Sequence, residues 1–116
     1  MSRTKSAALR VSEAAPLFAA LGDETRLRLV SRLGSEGPLS IARLSEGTQV
    51  TRQAITKHLT ALADAGLVHG TRHGREHIWQ LEPERLEKAR EHLAQISREW
   101  DHALERLQDF LKENPE

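Results

Sequence analysis

The last third of the chain carries an apolar repeat that is longer than a domain of this size can cover. Apolar residues recur there in alternating steps of three and four, the period of a helix that packs along one stripe. They are Leu86, Ala89, Leu93, Ile96, Trp100, Ala103, Leu107 and Phe110. The spacing predicts one helix from residue 83 to about residue 111, roughly 40 Å long at 1.5 Å per residue. The chain's own helices can cover only part of this stripe, so we expect a second copy of the chain to cover the rest.

A second amphipathic stretch, residues 51–67, combines an apolar stripe with a cationic polar face. Ile55, Leu59 and Leu62 recur at i, i+4 and i+7, which predicts a helix with one buried side. The opposite side carries Arg52, Gln53, Thr56, Lys57 and Thr60, with no acid among them. Arg and Lys pair with phosphates or guanine, and Gln can bond adenine through both amide atoms. The polar face therefore favours contact with a nucleic-acid groove, although this stretch alone also fits a solvated amphipathic helix.

Capping residues divide the chain before this stretch into shorter helices. Residues 1–12 are polar and basic without a clear period, and we interpret them as a flexible N-terminal arm. Two helices follow, broken near Gly22 and Asp23, where Asp23 caps the second.

A short third helix is predicted over residues 41–47, with Ser40 as its N-cap. Thr51 caps the next helix, and Gly66 ends it because glycine tolerates the left-handed conformation that follows many helices. A short helix, a turn and a longer helix with a polar exposed face are typical of a helix-turn-helix.

Residues 67–81 change to β-branched and aromatic character at both ends, which predicts a two-stranded hairpin, or wing. Gly74 is available for a positive-φ turn position at its tip. Arg72 and Arg75 lie in the tip, with no acid before Glu76, so the tip suits phosphate or minor-groove contact.

These elements predict a mainly α fold with a small β-hairpin: a winged helix-turn-helix of about five helices with a long C-terminal dimerisation helix. The winged helix-turn-helix spans residues 13–82. The dimerisation helix spans residues 83–116 and belongs to the same compact domain.

Composition narrows the remaining classes of function. The chain has no cysteine, which excludes disulfides, thiolate metal sites and a cysteine nucleophile. No apolar run approaches the roughly 20 residues that span a membrane, so we expect a cytoplasmic protein without a membrane partner. The net charge of zero hides an asymmetry: residues 1–80 carry 11 Lys+Arg against 7 Asp+Glu, and residues 81–116 carry 6 against 10. The basic front indicates that this part faces an anionic partner, and with the predicted helix-turn-helix we expect that partner to be double-stranded DNA.

Several motifs together resemble the ArsR-type winged-helix transcriptional regulators, over residues 15–111. They are ALGDETRLRLVSRL, PLSIARLSEG, VTRQAITKHLTALADAGLV, the GRE of the hairpin and the tail REHIWQLEPERL…REWDHALERLQDFL. The tail resembles the cysteine-free branch of the family. The resemblance implies a homodimer, formed through the first and last helices, that binds an inverted-repeat operator and represses transcription.

The resemblance also implies roles for individual residues. Major-groove and phosphate contacts fall on Thr51, Arg52, Gln53, Thr56 and Lys57, and wing contacts fall on Arg72 and Arg75. The expected dimer interface comprises Leu17, Phe18, Leu86, Leu93, Ile96, Trp100, Leu107 and Phe110. His58 occupies a position typical of the family, and we interpret it as structural, between core and backbone, rather than as a ligand.

Metal sensing, which is common in this family, lacks its usual residues here. The third helix reads IARLSEG, without the cysteines of one family site. For the other, on the last helix, the chain offers His92 and, ten residues on, His102 and Glu105. However, Arg90 stands where an acid is needed, and the separation is one residue short, a rotation of about 100° on a helix. We therefore predict no metal site and no cofactor, and interpret these side chains as solvated.

Two other functions stay open as alternatives. One is a repressor that responds to a metal or small-molecule effector through a site on the C-terminal helix. The other is a protein-interaction module that uses the winged helix as a scaffold, against which the basic polar face argues. An enzyme is not predicted, because the chain has no Gly-rich phosphate loop, nucleophile motif or suitably spaced pair of acids.

Overall fold

The computed structural model describes residues 10–113, which form five α-helices and three short strands. In chain order these are α1 (Val11–Leu21), α2 (Glu24–Glu36), β1 (Leu39–Ser40), α3 (Ile41–Ser45), α4 (Arg52–Asp64), β2 (Val68–His73), β3 (Glu76–Leu81) and α5 (Pro83–Glu113). The predicted fold, a winged helix-turn-helix with a long last helix, is confirmed.

The first helix begins earlier than the sequence indicates. Val11 and Ser12, which the sequence assigns to the arm, form the start of α1. The backbone N–H of Arg10 donates to Oε1 of Glu13 at 3.0 Å, as expected at a helix start. Val11 is 76% exposed, so this first turn carries no buried stripe by which the sequence could reveal it. The rest of the predicted arm, residues 1–9, lies outside the described residues.

Side-chain caps start the three inner helices, as predicted. The side chains of Asp23, Ser40 and Thr51 accept hydrogen bonds from backbone N–H groups three residues on, at 3.1, 3.2 and 3.1 Å. Each satisfies a donor that the first turn of a helix leaves unpaired. After α4, Gly66 has a φ of 80°, the left-handed conformation that ends the helix.

The sheet has one strand more than the predicted hairpin. Strands β2 and β3 pair antiparallel from Val68 opposite Leu81 to His73 opposite Glu76. Strand β1 adds to the other side of β3, with Leu39 opposite Trp79. Two residues are too few to show a period of two, so the sequence could not reveal β1. Its pairing ties the start of α3 to the wing.

The hydrophobic core lies between the first four helices, the start of α5 and the sheet. Its buried members are Ala14, Leu17, Ala20, Leu29, Leu33, Leu39, Leu44, Ile55, Leu59, Leu62, Leu67, Val68, Trp79 and Ala89. Leu17 is only 1% exposed within one chain. The chain's own core therefore covers Leu17, and its assignment to the dimer interface stays a prediction.

Helix α5 extends far beyond this core. Its 31 residues span about 46 Å at 1.5 Å per residue, and Ala89 is its buried residue. The radius of gyration is 19.0 Å, whereas a compact chain of this length has about 13 Å. Among residues 10–113, no helix is both long enough and apolar enough to cross a membrane.

Candidate nucleic-acid interface

The start of α4, the start of α3 and the wing enclose an open concavity of about 700 Å³. Eight of its ten lining residues are polar or charged, and three of them are Arg or Lys. The lining residues are Ser40, Ile41, Ala42, Arg52, Gln53, Thr56, Lys57, Arg75, Glu76 and His77. We call this the concave surface.

Helix α4 places its polar residues on the concave surface by burying the opposite stripe. Ile55, Leu59 and Leu62 are almost completely buried, and helical periodicity then turns Arg52 and Lys57 outward. Both are exposed. The hydroxyl of Thr56 donates to the carbonyl oxygen of Arg52 at 2.9 Å, so its lone pairs stay available as acceptors.

The wing turns sharply at its tip and places one arginine on the concave surface. The turn joins His73 to Glu76, and Gly74 takes a φ of 64°, as its position predicted. Arg75 follows it and lines the concave surface, whereas Arg72 lies outside the lining, exposed on β2.

The structure thus brings together five of the eight predicted DNA contacts. Arg52, Gln53, Thr56, Lys57 and Arg75 share the concave surface. Thr51, Thr60 and Arg72 are exposed but do not line it. Thr51 also serves as the N-cap of α4.

The cations of this surface differ from four arginines elsewhere in the chain. Arg28, Arg32, Arg43 and Arg90 each pair with a glutamate. Within residues 10–113, by contrast, Arg52, Lys57 and Arg75 of the concave surface form no ion pair, and neither does Arg72, which lies outside the lining. Their charges are therefore not neutralised inside the chain and stay available to an anionic ligand. The one acid of the lining is Glu76, which the sequence placed only at the border of the wing tip.

Part of the lining is not predictable from the sequence. Ser40, Ile41 and Ala42 reach the concave surface because β1 pairs with β3 and carries the start of α3 towards the wing. His77 joins them from β3, where its ring lies 4.6 Å from that of Trp79. The capping role of Ser40 was visible in the sequence, but its closeness to the wing depends on the sheet.

The predicted structural role of His58 takes a different form in the structure. Its Nδ1 accepts a hydrogen bond from Nε of Arg26 at 3.2 Å, and it lies 3.8 Å from Oδ2 of Asp23. His58 therefore contacts side chains at the start of α2, and not the backbone as the sequence interpretation had it.

The predicted dimer residues divide into two groups. Leu86 and Phe18 are half-buried and pack against the chain's own core, and Ile96 is half-buried on α5. Farther along α5, Leu93 is 52% exposed, Trp100 64%, Leu107 53% and Phe110 59%. The second group forms an apolar face that this chain leaves exposed to solvent.

The metal candidates on α5 do not meet within one chain. His92 is half-buried, with its ring 5.9 Å from the ring of Phe18. His102 and Glu105 are exposed and begin about 15 Å farther along the helix at 1.5 Å per residue. Within residues 10–113, no three His, Asp or Glu side chains come together as a metal-binding group.

A helix-turn-helix followed by a two-stranded wing defines the winged helix-turn-helix class of protein. Here the second helix of the motif, α4, carries Arg and Lys side chains that form no ion pair within the described part of the chain. Comparison with known proteins agrees: a family model described as a helix-turn-helix domain matches residues 21–71. The HTH-type transcriptional regulator Rv2034 of Mycobacterium tuberculosis is 38% identical over 85 residues, covering 73% of this chain and 76% of that protein.

Solved structures give the same result. An ArsR-like transcriptional regulator from Rhodococcus sp. RHA1 is 38% identical, with a TM-score of 0.69, and the match covers 85% of this chain and 92% of that one. The ArsR family transcriptional regulator RHA00566 is 26% identical, with a TM-score of 0.70, and the match covers 82% and 97%. The chain belongs to the ArsR-like family of winged helix-turn-helix transcriptional regulators, a family of regulators and not of enzymes.

Proposed function

We propose that the protein is a homodimeric repressor that binds an inverted-repeat DNA operator through α4 and the wing. The observation that carries this proposal is the concave surface. It gathers Arg52, Lys57 and Arg75 beside Gln53, and the three cations have no acid partner among the described residues. Such a group of donors suits a phosphate backbone and the base edges of one groove.

Within this proposal, the residues of the concave surface divide the work of recognition. Gln53 contacts a base edge, because its amide can bond adenine bidentately in the major groove. Arg52 and Lys57 bind flanking phosphates or guanine, and Arg75 binds phosphate from the wing. Phosphate contacts release counterions, so affinity falls as the salt concentration rises.

The exposed apolar face of α5 supports the dimer. Leu93, Trp100, Leu107 and Phe110 lie along about 26 Å of helix, and each is more than half exposed in one chain. A two-fold axis along this face presents two copies of α4, which fits two half-sites about one helical turn of DNA apart. A dimer seated on a promoter excludes polymerase by occupying its site. We place this activity in the cytoplasm, together with the DNA.

The experiment that tests the proposal is fluorescence anisotropy with the protein's own promoter region and a scrambled duplex. Binding is measured at two salt concentrations, with and without zinc. Promoter-selective binding that weakens at higher salt supports the proposal. Indifference to both duplexes at low salt refutes it and favours the protein-interaction module.

The zinc arm of the same experiment separates the repressor from the metal-responsive alternative. We expect affinity to be unchanged by zinc, because His92, His102 and Glu105 do not converge in one chain. Release from DNA on adding zinc would instead assign these residues to a site that the dimer completes.

A further inference from the structure

One side chain, that of Arg26, connects three helices behind the concave surface. Its Nη1 donates to the carbonyl oxygen of Ala20 at 3.2 Å, in the last turn of α1. Its Nε donates to Nδ1 of His58 at 3.2 Å, on α4. The backbone N–H of Arg26 donates to Oδ2 of Asp23 at 3.1 Å, and this bond caps α2. An arginine in the first turn of α2 therefore holds the end of α1 and the back of α4 at the same time.

The direction of the bond from Arg26 assigns the acceptor role to Nδ1 of His58. An arginine Nε–H can only donate, so Nδ1 of His58 is the acceptor and carries no proton. Oδ2 of Asp23 is 3.8 Å from the same Nδ1, which is beyond hydrogen-bond distance, and it is already bonded to the backbone of Arg26. Asp23 and Arg26 are the charged side chains that contact His58 within residues 10–113.

His58 lies where it can set the orientation of α4. It is flanked by Lys57, which lines the concave surface, and by Leu59, which is fully buried in the core. Apolar contacts such as those of Leu59 are non-directional and leave a helix some freedom to rotate about its axis. A hydrogen bond is directional, so the bond from Arg26 to His58 restricts that rotation.

The other end of the connection reaches α5 through α1. Ala20 follows Phe18 by two residues on α1. The ring of Phe18 lies 5.9 Å from that of His92 on α5. Helix α1 therefore lies between the proposed dimerisation helix and the guanidinium of Arg26. A shift of α1 on α5 moves the carbonyl oxygen of Ala20 and with it the acceptor to which Arg26 is bonded.

We propose that Arg26 and His58 are positioning residues that couple the packing of α1 on α5 to the orientation of α4 on DNA. This inference rests on the proposed DNA-binding function. Neither residue lines the concave surface. They act on operator affinity through the placement of Lys57 and its neighbours.

Two substitutions of His58 test the bond to Arg26. His58→Leu removes the acceptor while keeping an apolar side chain of similar bulk. His58→Asn places an amide oxygen near the position of Nδ1, where it can accept from Arg26. Because a hydrogen bond to a charged group is involved, we expect His58→Leu to lower promoter affinity about tenfold and His58→Asn to stay within about threefold of wild type. His102→Leu, a histidine exposed on α5, is the matched control and should not change affinity.

A further readout distinguishes positioning from direct DNA contact. If His58 makes no phosphate contact, His58→Leu keeps the wild-type dependence of affinity on salt. Circular dichroism and the thermal midpoint show that the variant is folded. A changed salt slope would place His58 in the DNA interface and overturn the inference.

A double-mutant cycle tests whether the two residues act as one unit. Arg26→Met and His58→Leu each break the same bond, so the double variant should bind promoter about as weakly as the weaker single variant. If the two losses of affinity add up in the double variant, Arg26 and His58 act independently, and the inference is overturned.

The remaining variant guards against a folding defect. If His58→Leu does not fold, Arg26→Lys tests the inference instead. A lysine ammonium keeps the charge but cannot reproduce the planar guanidinium that donates to both Ala20 and His58. We expect Arg26→Lys to lower promoter affinity about tenfold, and unchanged affinity would overturn the coupling.

Wild-type protein that binds neither duplex refutes the DNA-binding function and the coupling with it. Wild-type binding with unaffected variants refutes the coupling alone.

Discussion

Helices α4 and α5 are both amphipathic, but they use their two faces in opposite ways. Helix α4 buries its apolar stripe inside one chain, through Ile55, Leu59 and Leu62, and its exposed face is polar and cationic. Helix α5 buries Ala89, while Leu93 and Trp100 are more than half exposed. Helix α4 therefore exposes its polar face, whereas α5 exposes its apolar face as well as its polar one.

The difference shows what an amphipathic pattern does and does not determine. The pattern indicates which side of a helix is buried. The length of the helix relative to the domain decides whether the chain's own core or another molecule covers that side. The 13 residues of α4 are few enough for the core to cover the whole apolar stripe, whereas the 31 residues of α5 extend beyond the core. Removing an apolar residue should therefore affect the stability of the chain in α4 and its association in α5.

The largest expected effect comes from shortening the buried stripe of α4. Leu59→Ala leaves a cavity beside a fully buried residue and should lower the free energy of unfolding by about 3 kcal/mol. Urea denaturation followed by circular dichroism measures this loss. Thr60→Ala, on the exposed side of the same helix, should change stability by less than about 0.5 kcal/mol. Equal losses in the two variants would show that the stripe of α4 is not buried as described.

The matching change in α5 should act on association. Trp100 is 64% exposed in one chain, and a large aromatic side chain at the centre of an interface is typical of a binding hot spot. We expect Trp100→Ala to weaken dimerisation by about 2 kcal/mol, or roughly thirtyfold in Kd. Sedimentation equilibrium measures the change, and Arg98→Ala, exposed on the same helix, is the control. A wild-type protein that stays monomeric at all concentrations would contradict the proposed role of α5.

On the polar face of α4 and the wing, two variants should differ in kind. Gln53→Ala should reduce the preference for promoter over scrambled duplex by about 1 kcal/mol, because a base contact is lost. Arg75→Ala should weaken binding to both duplexes alike and reduce the salt slope by about one, because a phosphate contact is lost. Anisotropy titrations at several salt concentrations measure both effects.

Arg72→Ala gives the matched control for the wing. Arg72 is exposed but lies outside the concave surface, so its loss should be smaller than that of Arg75. If Gln53→Ala and Arg75→Ala lose specificity equally, the proposed division between base and phosphate contacts is wrong.

Local features of the fold were predictable because the residues that produce them are neighbours in sequence. Thr51 caps α4 by bonding the N–H of Ala54, three residues on, and Gly74 turns a hairpin whose strands flank it directly. The apolar stripe of α4 follows from helical period alone. These predictions needed no knowledge of the tertiary structure.

Features that depend on tertiary packing were not predictable. The bond between Arg26 and His58 joins residues 32 apart, and no pattern marks either as a partner of the other. Strand β1 is recognisable only by its pairing with β3. For Leu17, the helical period of α1 indicated burial correctly, but it could not say whether the chain's own core or a partner covers the residue.

The smallest expected effect comes from removing the charge of a carboxylate in an ion pair. One such pair joins two helices, and another lies inside α5. Arg32 donates to Glu36 with Nε 3.0 Å from Oε2, and Nη2 of Arg43, on α3, lies 3.7 Å from Oε1. The hydrogen bond from Arg32, with the charges of Arg32 and Arg43, lowers the pKa of Glu36 below its ordinary value of 4.5. The pKa of Glu87 is likewise lowered, chiefly by its hydrogen bond from Arg90 within α5.

A carboxyl group with a lowered pKa in the folded state stabilises the fold above its ordinary pKa. It loses that contribution as the pH falls through the lowered value. Glu36→Gln should therefore lower the urea midpoint slightly at neutral pH, and the difference from wild type should disappear as the pH falls below 4.5. Glu87→Gln should show the same pH dependence with a smaller change, because Glu87 and Arg90 are neighbours on one helix and such pairs contribute little to the tertiary fold. A difference for Glu36→Gln that persists unchanged in acid would show that the substitution acts through packing and not through the charge of the carboxylate.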